Sequence, residues 1–345
     1  MMKKRIFITG GNGFIGSHIV RELVHSGREV TCLVRKGSSA RKFDGVNAAI
    51  VRGDLADTAV LAGLVTGHDA VIHTAGLVND WSRYDEFYRV NVEGTLNVLE
   101  ACRAAGIEQV IHTGTCSSYG EEHNFSVKDE HWPDASHRPY FADRLFPCRM
   151  NHYRDTKALA TLRATAFAEE HGMNLTVLEP AFVYGEREFS TGFYEYVKSA
   201  GRGIPVAPGS RHNLFPVIYA GDLARAYRLA LEKKLPGVNR ILIANPEPEL
   251  LDRILNAFCR HAGVKKPLPL PKWSLYGPAM LLELLYTLLH SLRPPVLTRG
   301  RVCMFTDNVA FSSDKAERLL DFTADTPLDE GIKRTVEWYR ANGFL

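Results

Sequence analysis

The sequence predicts an α/β fold: a doubly wound parallel sheet followed by a smaller, mainly C-terminal lobe. Three observations carry this. Short β-branched runs alternate with helical stretches through the first two thirds of the 345 residues. Several of those runs are apolar nearly throughout, as strands covered on both faces must be. A glycine-dense turn, "ITGGNGFIGSH" at 8–18, joins the first run directly to a helix.

The runs are RIFIT (5–9), EVTCLV (29–34), AAIV (48–51), DAVIHT (69–74), QVIHTG (109–114) and NLTVLE (174–179), with one more β-rich run at 240–244. Helices are expected over 14–26, 57–66, about 84–105 and 152–171. Gly27, Gly106 and Gly172 stand where three of them need a left-handed C-terminal residue. Strand, helix, strand in repetition implies right-handed crossovers and a parallel sheet. Near residue 180 the rhythm breaks, and proline and glycine become frequent over 201–221. The expected division is a cofactor domain of residues 1–179 and about 215–244, with a substrate-binding lobe of about 180–214 and 245–345.

Composition bounds the function class. A hydrophobic fraction of 45%, a charged fraction of 23% and a net charge of +3 fit a globular enzyme and give no basic run suited to nucleic acid. Six scattered cysteines without a CxxC pair read as free thiols in a cytoplasmic protein. The stretch MMKKRIFITGG is too short in apolar residues for a signal peptide.

Gly11, Gly13 and Gly16 satisfy GxGxxG, and Thr9, Gly10, Gly13 and Gly16 satisfy TGxxGxxG. Glycines there let the backbone turn tightly and approach a pyrophosphate at a helix N-terminus, where free N–H groups and the dipole favour negative charge. Between an apolar strand and an amphipathic helix, the pattern marks a Rossmann-type dinucleotide site. About twenty positions on, an acid would grip ribose hydroxyls. This chain has Arg35-Lys36-Gly37-Ser38-Ser39, its first carboxylate being Asp44. A cation there suits a 2′-phosphate, so NADP(H) is the expected cofactor, with NAD(H) the alternative. Asp54, in GDL, is expected to face the adenine.

"NHYRDTK" places Tyr153 and Lys157 at i and i+4 on one helical face. A phenol with a pKa of about 10 carries protons poorly at neutral pH, and a neighbouring ammonium brings it toward the working range. Thirteen histidines, among them His123, His131 and His137 in one loop and His152 beside Tyr153, lack metal spacing and read as structural; no metal is expected.

Taken with GDL (53–55), HTAG (73–76), NVEGT (91–95) and EPAFVYG (179–185), these features resemble the extended short-chain dehydrogenase/reductase family, the epimerase/dehydratase-like branch. Within it the chain is most similar to the dihydroflavonol reductase and 3β-hydroxysteroid dehydrogenase group, with its "RTVEWY"-like ending at 334–339. The resemblance implies that Tyr153 is the acid/base, that Lys157 binds the nicotinamide ribose and lowers the tyrosine pKa, and that Asn91 holds a relay water. It implies cofactor contacts from Gly10, Gly13, Phe14, Ile15, Gly16, Leu55 and Ala75, with Pro180 and Val183 lining the nicotinamide. The third catalytic hydroxyl falls on Thr115 in "TGTCSSYG", with Ser117 and Ser118 as rivals. The implied assembly is a homodimer through the 84–105 and 152–171 helices.

Dehydratases resemble one another in a Thr-Asp-Glu at this point. Thr115-Cys116-Ser117 lacks both acids, which argues against elimination of water. Sugar-nucleotide enzymes place an arginine near "NLFPVIYAGDLARA". Here Phe215 holds that place, and Arg211 lies four residues earlier. The expected activity is therefore interconversion of a ketone and a secondary alcohol on a fairly apolar substrate, steroid- or flavonoid-like rings included. The alternatives are a sugar-nucleotide epimerase with tightly bound NAD and a cofactor-sensing protein without chemistry.

"WSLYGPAMLLELLYTLLHSL" (273–292) is the most apolar segment, too short between Pro278 and Ser291 to span a membrane. Glu283, Thr287 and His290 form a polar stripe along it. It is expected to roof an apolar substrate pocket. A core or dimer helix is one alternative. A helix seated on a membrane surface, flanked by Lys265, Lys266, Lys272, Arg293, Arg299 and Arg301, is the other.

Overall fold

The computed structural model describes residues 4–38, 43, 45–120, 126–189, 192–204, 206–210 and 212–345. Its centre is a seven-stranded sheet of β1 (Arg5–Thr9), β2 (Glu29–Val34), β3 (Ala49–Arg52), β4 (Ala70–His73), β5 (Gln109–Thr113), β6 (Asn174–Pro180) and β7 (Val238–Ile243). The strand order is β7-β6-β5-β4-β1-β2-β3, and every pair is parallel. Between β1 and β4 the winding changes direction. A crevice opens there outside the strands' carboxyl ends, where doubly wound sheets bind their ligands.

The strands are apolar on both sides because both sides are covered. Ile6 and Ile8 pack with α1 (Phe14–His25) and a helix at Ala220–Lys233, whereas Phe7 between them faces the opposite layer. That layer holds α2 (Thr58–Val65), α3 (Gly94–Ala104) and α4 (Arg149–Glu170), through side chains such as Leu61, Val98 and Ala164. Gly27, Gly106 and Gly172 take φ of +80°, +67° and +62°, as their helix ends require.

Two helices differ from expectation. The 84–105 segment is interrupted by a π-turn over Tyr88–Glu93, between a short helix Tyr84–Phe87 and α3. The helix α4 begins at Arg149 rather than at residue 152, so Tyr153 sits in its second turn.

Beyond β6 lie short strand pairs, Phe182–Tyr184 with Val217–Tyr219 and Val206–Pro208 with Leu268–Leu270, together with several helices. An aromatic core of Tyr184, Phe193, Phe215 and Phe258 gathers them. The helix Lys272–Leu288 turns many of its apolar side chains outward, while Lys272, Trp273, Tyr276 and Gly277 line a cleft of about 700 Å³. Only Ala279 and Glu283 are buried, whereas Trp273, Leu281, Leu285, Leu288 and, just past its end, Leu289 are exposed. The cause is Glu283, whose carboxylate accepts from Arg299 Nε at 2.8 Å and from the Arg299 backbone N–H. Arg299, fully buried, donates in turn to the carbonyls of Phe141 and Phe146 at 2.7 and 2.8 Å. A buried ion pair fixes which face turns inward. The polar stripe ends early, because His290 lies past the helix at φ +50°. No helix among the described residues is long and apolar enough to cross a membrane.

Candidate active site

The glycine loop closes on itself at the end of β1. Gly10 has φ +73°, and a Cβ on it would stand 2.4 Å from the Ala75 backbone nitrogen. A Cβ on Gly16 would meet the Gly10 carbonyl oxygen at 2.2 Å. Only hydrogen fits at either position. Gly13 N–H donates to Gly10 O at 2.8 Å and caps α1, whose first turn carries neither a side-chain cap nor an acid. Phe14 and Ile15, half-buried, form that first turn. The free N–H groups and the positive helix end fit a pyrophosphate.

A polar chain links this loop to Asn91. His73 Nδ1 lies 2.7 Å from Thr9 Oγ1, and its Nε2 lies 3.0 Å from Thr95 Oγ1. Thr95 donates its one hydroxyl proton to Asn91 O at 2.6 Å, so His73 Nε2 is the donor and Nδ1 accepts from Thr9. Burial, helped by the Lys157 charge, holds His73 down to about 3, and the ring stays neutral.

At the far end of the crevice, a cleft of about 460 Å³ takes Arg35, Lys36 and Ser38 from the loop after β2, and Arg52 and Asp54 from β3 and its turn. Arg52 donates to Arg35 O and Ser38 O at 3.0 and 2.6 Å, bringing three cations together. Asp54 accepts from Ala56 N–H at 3.0 Å. Leu55 is half-buried, packed beneath Gly94. Ser39 and Asp44 lie outside the described residues, as do Arg211 and His123.

Tyr153 and Lys157 follow each other one turn apart on α4, with Phe87 against the tyrosine ring at 6.1 Å. Thr115 is the hydroxyl that meets the Tyr153 phenol and draws its pKa down. Thr115 is buried and caps the 3-10 turn Cys116–Tyr119, accepting from Ser117 N–H at 3.2 Å. Of its rivals, Ser117 is half-buried, and Ser118 is fully buried with its hydroxyl unpartnered among the described residues. Burial pushes Tyr153 up to about 12, against the lowering effect of Thr115. The Lys157 ammonium donates to Thr113 O at 2.6 Å, and burial brings it down to about 8, opposed by Glu179.

Asn91 lies on the π-turn, a helical irregularity that recurs at functional sites. Its Oδ1 accepts from Leu77 N–H at 2.8 Å, while Nδ2 donates to Leu77 O and Thr156 Oγ1, each at 3.3 Å. Pro180 closes β6, and Val183 is buried on the strand that follows. Ala75 N–H lies 3.4 Å from Thr9 Oγ1.

A description of the NAD dependent epimerase/dehydratase family matches residues 6–244, a span holding every motif from the glycine loop to β7. The chain belongs to this family. Among its relatives, the 2-alkyl-3-oxoalkanoate reductase of Stenotrophomonas maltophilia (strain K279a) is 30% identical over 340 residues, covering 96% of this chain and 98% of that one. The sterol-4-alpha-carboxylate 3-dehydrogenase, decarboxylating, of Mus musculus is 27% identical over 348 residues, with 97% and 90% covered. The crystal structure of gox2253 matches at a TM-score of 0.80 and 25% identity over 99% of this chain and 100% of that one. This member of the epimerase/dehydratase family is an NAD(P)-dependent oxidoreductase of the short-chain dehydrogenase/reductase type.

In this family member several residues escaped the sequence reading. Arg52 reaches the loop after β2 only because β3 pairs beside β2. Glu179 is fully buried, accepting from Tyr119 OH at 2.7 Å and Arg240 at 2.8 Å. Gly114 was its one local signal, since a Cβ there would stand 2.7 Å from Glu179 Cγ. His137 bridges Asp155 and Asp143 at 2.7 and 3.0 Å, and the carboxylates raise its pKa. No group of metal-ligating side chains occurs among the described residues.

Proposed function

We propose that the protein is an NADP(H)-dependent reductase and dehydrogenase that interconverts a ketone and a secondary alcohol on a substrate with an apolar body. The observation that carries this is Thr115 against Tyr153, one turn from Lys157, beside a strand end that offers no carboxylate at 116 or 117. When bound, the nicotinamide supplies or accepts the hydride. Thr115 and Tyr153 donate hydrogen bonds to the carbonyl oxygen. Burial keeps the Tyr153 phenol protonated across the neutral range, so it can give its proton to the forming alkoxide. Lys157 would bind the nicotinamide ribose, and Asn91 would hold a relay water. The cations Arg35, Lys36 and Arg52 support a 2′-phosphate.

Residues 1–179 and 215–244 serve the cofactor in this reading, and 180–214 and 245–345 the substrate. Two copies pair through α3 and α4. Phe215 is fully buried and stacked on Phe182 at 4.2 Å, which argues against a diphosphate clamp at that place. Both named relatives act, by their names, at a 3-oxygen beside a carboxylate. The test is a panel of ketones, secondary alcohols and sugar nucleotides, followed by absorbance of the reduced nicotinamide. Ketone-dependent oxidation of NADPH is expected, lost about 100-fold or more in Tyr153→Phe with cofactor binding retained. Tightly held NAD with sugar-nucleotide epimerisation and no net oxidation overturns it.

A further inference from the structure

Arg149 begins the catalytic helix four residues before Tyr153, as Lys157 follows four residues after it. The three side chains therefore share a face at intervals of one helical turn, about 5.4 Å. The Arg149 guanidinium lies 4.3 Å from the centroid of Trp81 and donates once, to Trp81 O at 2.8 Å. The remaining N–H groups of its fork have no protein acceptor among the described residues.

The neighbouring cations are not in this condition. Arg299 is paired with Glu283, Arg301 with Asp80, Arg138 with Asp307 and Arg83 with Asp85. Arg149 alone of the five has no ion-pair partner among the described residues. Its position makes this costly. The first turn of α4 has no acid and its N-cap no side-chain hydrogen bond, so the arginine adds a charge to the positive end of a 22-residue helix. Asp143 lies nearby, but its oxygens serve Cys148 N–H, Asn151 and His137. Burial and the Arg83 charge press against the Arg149 cation, and the more distant Glu283 and Glu86 carboxylates offset them only in part. Such a site is stabilised by an incoming anion, and a planar guanidinium matches a carboxylate through two parallel hydrogen bonds.

We propose that Arg149 binds a carboxylate of the substrate, which makes that substrate a 3-oxo or 3-hydroxy carboxylic acid carrying an apolar branch. This rests on the reading of Tyr153 and Thr115 as the groups that hold the reacting oxygen. An acid of this kind places its carboxylate beside the reacting carbon, within the span of one helical turn. The Trp81 ring, with Tyr286 edge-on at 6.5 Å, supplies an apolar wall next to it.

The experiment measures calorimetric binding of a 2-alkyl-3-hydroxyalkanoate and of its methyl ester to the wild type, Arg149→Met and Arg149→Lys, each with NADP⁺ present. Turnover of both compounds is followed in parallel. The wild type should bind the acid at least about tenfold more tightly than the ester. Arg149→Met should weaken the acid by about ten- to a hundredfold and leave the ester unchanged, with Arg149→Lys between. Retained NADP⁺ binding shows that the variants fold. Equal binding of acid and ester by the wild type, or parallel loss of both in Arg149→Met, overturns the assignment. Arg149-dependent binding of the acid without turnover of any alcohol or ketone would sink the oxidoreductase chemistry and leave the carboxylate site standing.

Discussion

Replacing Lys157 by methionine should stabilise the protein at neutral pH while removing its activity. Lys157 is buried, and burial brings its ammonium from the usual 10.5 down to about 8. At 1.36 kcal/mol per pH unit, the drop amounts to about 3 kcal/mol of native-state destabilisation at pH 7. Losing the hydrogen bond to Thr113 O offsets about 1 kcal/mol, leaving a net gain of about 2 kcal/mol. The folded wild type releases this proton near pH 8 and the unfolded chain only near 10.5. Between those values the unfolded state binds more protons, so wild-type stability rises with pH. The penalty is therefore fully present below pH 8 and fades toward pH 10.5. Urea unfolding of both proteins at pH 7, 8, 9 and 10 reads the effect, because other titrations cancel in the difference. The variant's advantage should shrink steadily above pH 8. An advantage that stays flat or widens over that range refutes the reasoning.

The other predictions concern the cofactor cradle, the cation cluster and the helix Lys272–Leu288. Gly10→Ala sets a Cβ 2.4 Å from the Ala75 nitrogen at φ +73°; it should abolish NADPH binding, read by fluorescence titration, and lower the melting temperature. Arg35→Ala and Arg52→Ala should each reduce the NADPH-over-NADH ratio of kcat/KM by about tenfold, with NADH kinetics nearly unchanged. Glu283→Ala leaves the buried Arg299 guanidinium without its carboxylate and should cost about 3–5 kcal/mol in chemical denaturation. A loss under about 1 kcal/mol would mean that the pair does not set the helix orientation.

Much of the fold was legible in the sequence because local patterns record local physics. Gly27, Gly106 and Gly172 announced left-handed helix ends, and the apolar strands announced a sheet covered on both faces. The glycine turn was readable for the same reason, since a residue that tolerates no Cβ must be glycine wherever the chain folds back. The spacing of Tyr153 and Lys157 needed only the helical period.

Other features depend on which elements meet. Residues 64 positions apart place Thr9 on His73, and no local pattern marks that contact. Hydropathy alone does not show that the 273–292 segment buries Glu283 against Arg299 while Leu281, Leu285 and Leu288 stay exposed. The burial that raises the Tyr153 phenol is of the same kind, because spacing sets the distance to Lys157 but not the depth of burial.

What the sequence alone determined was the sheet, the glycine turn and the one-turn spacing of Tyr153 and Lys157, each encoded in residues close along the chain. The tertiary structure decided which charges are satisfied. It paired Arg299 with Glu283, set Arg52 beside Arg35 and gave Arg149 no ion-pair partner among the described residues, because desolvation and ion pairing depend on neighbours that only folding supplies.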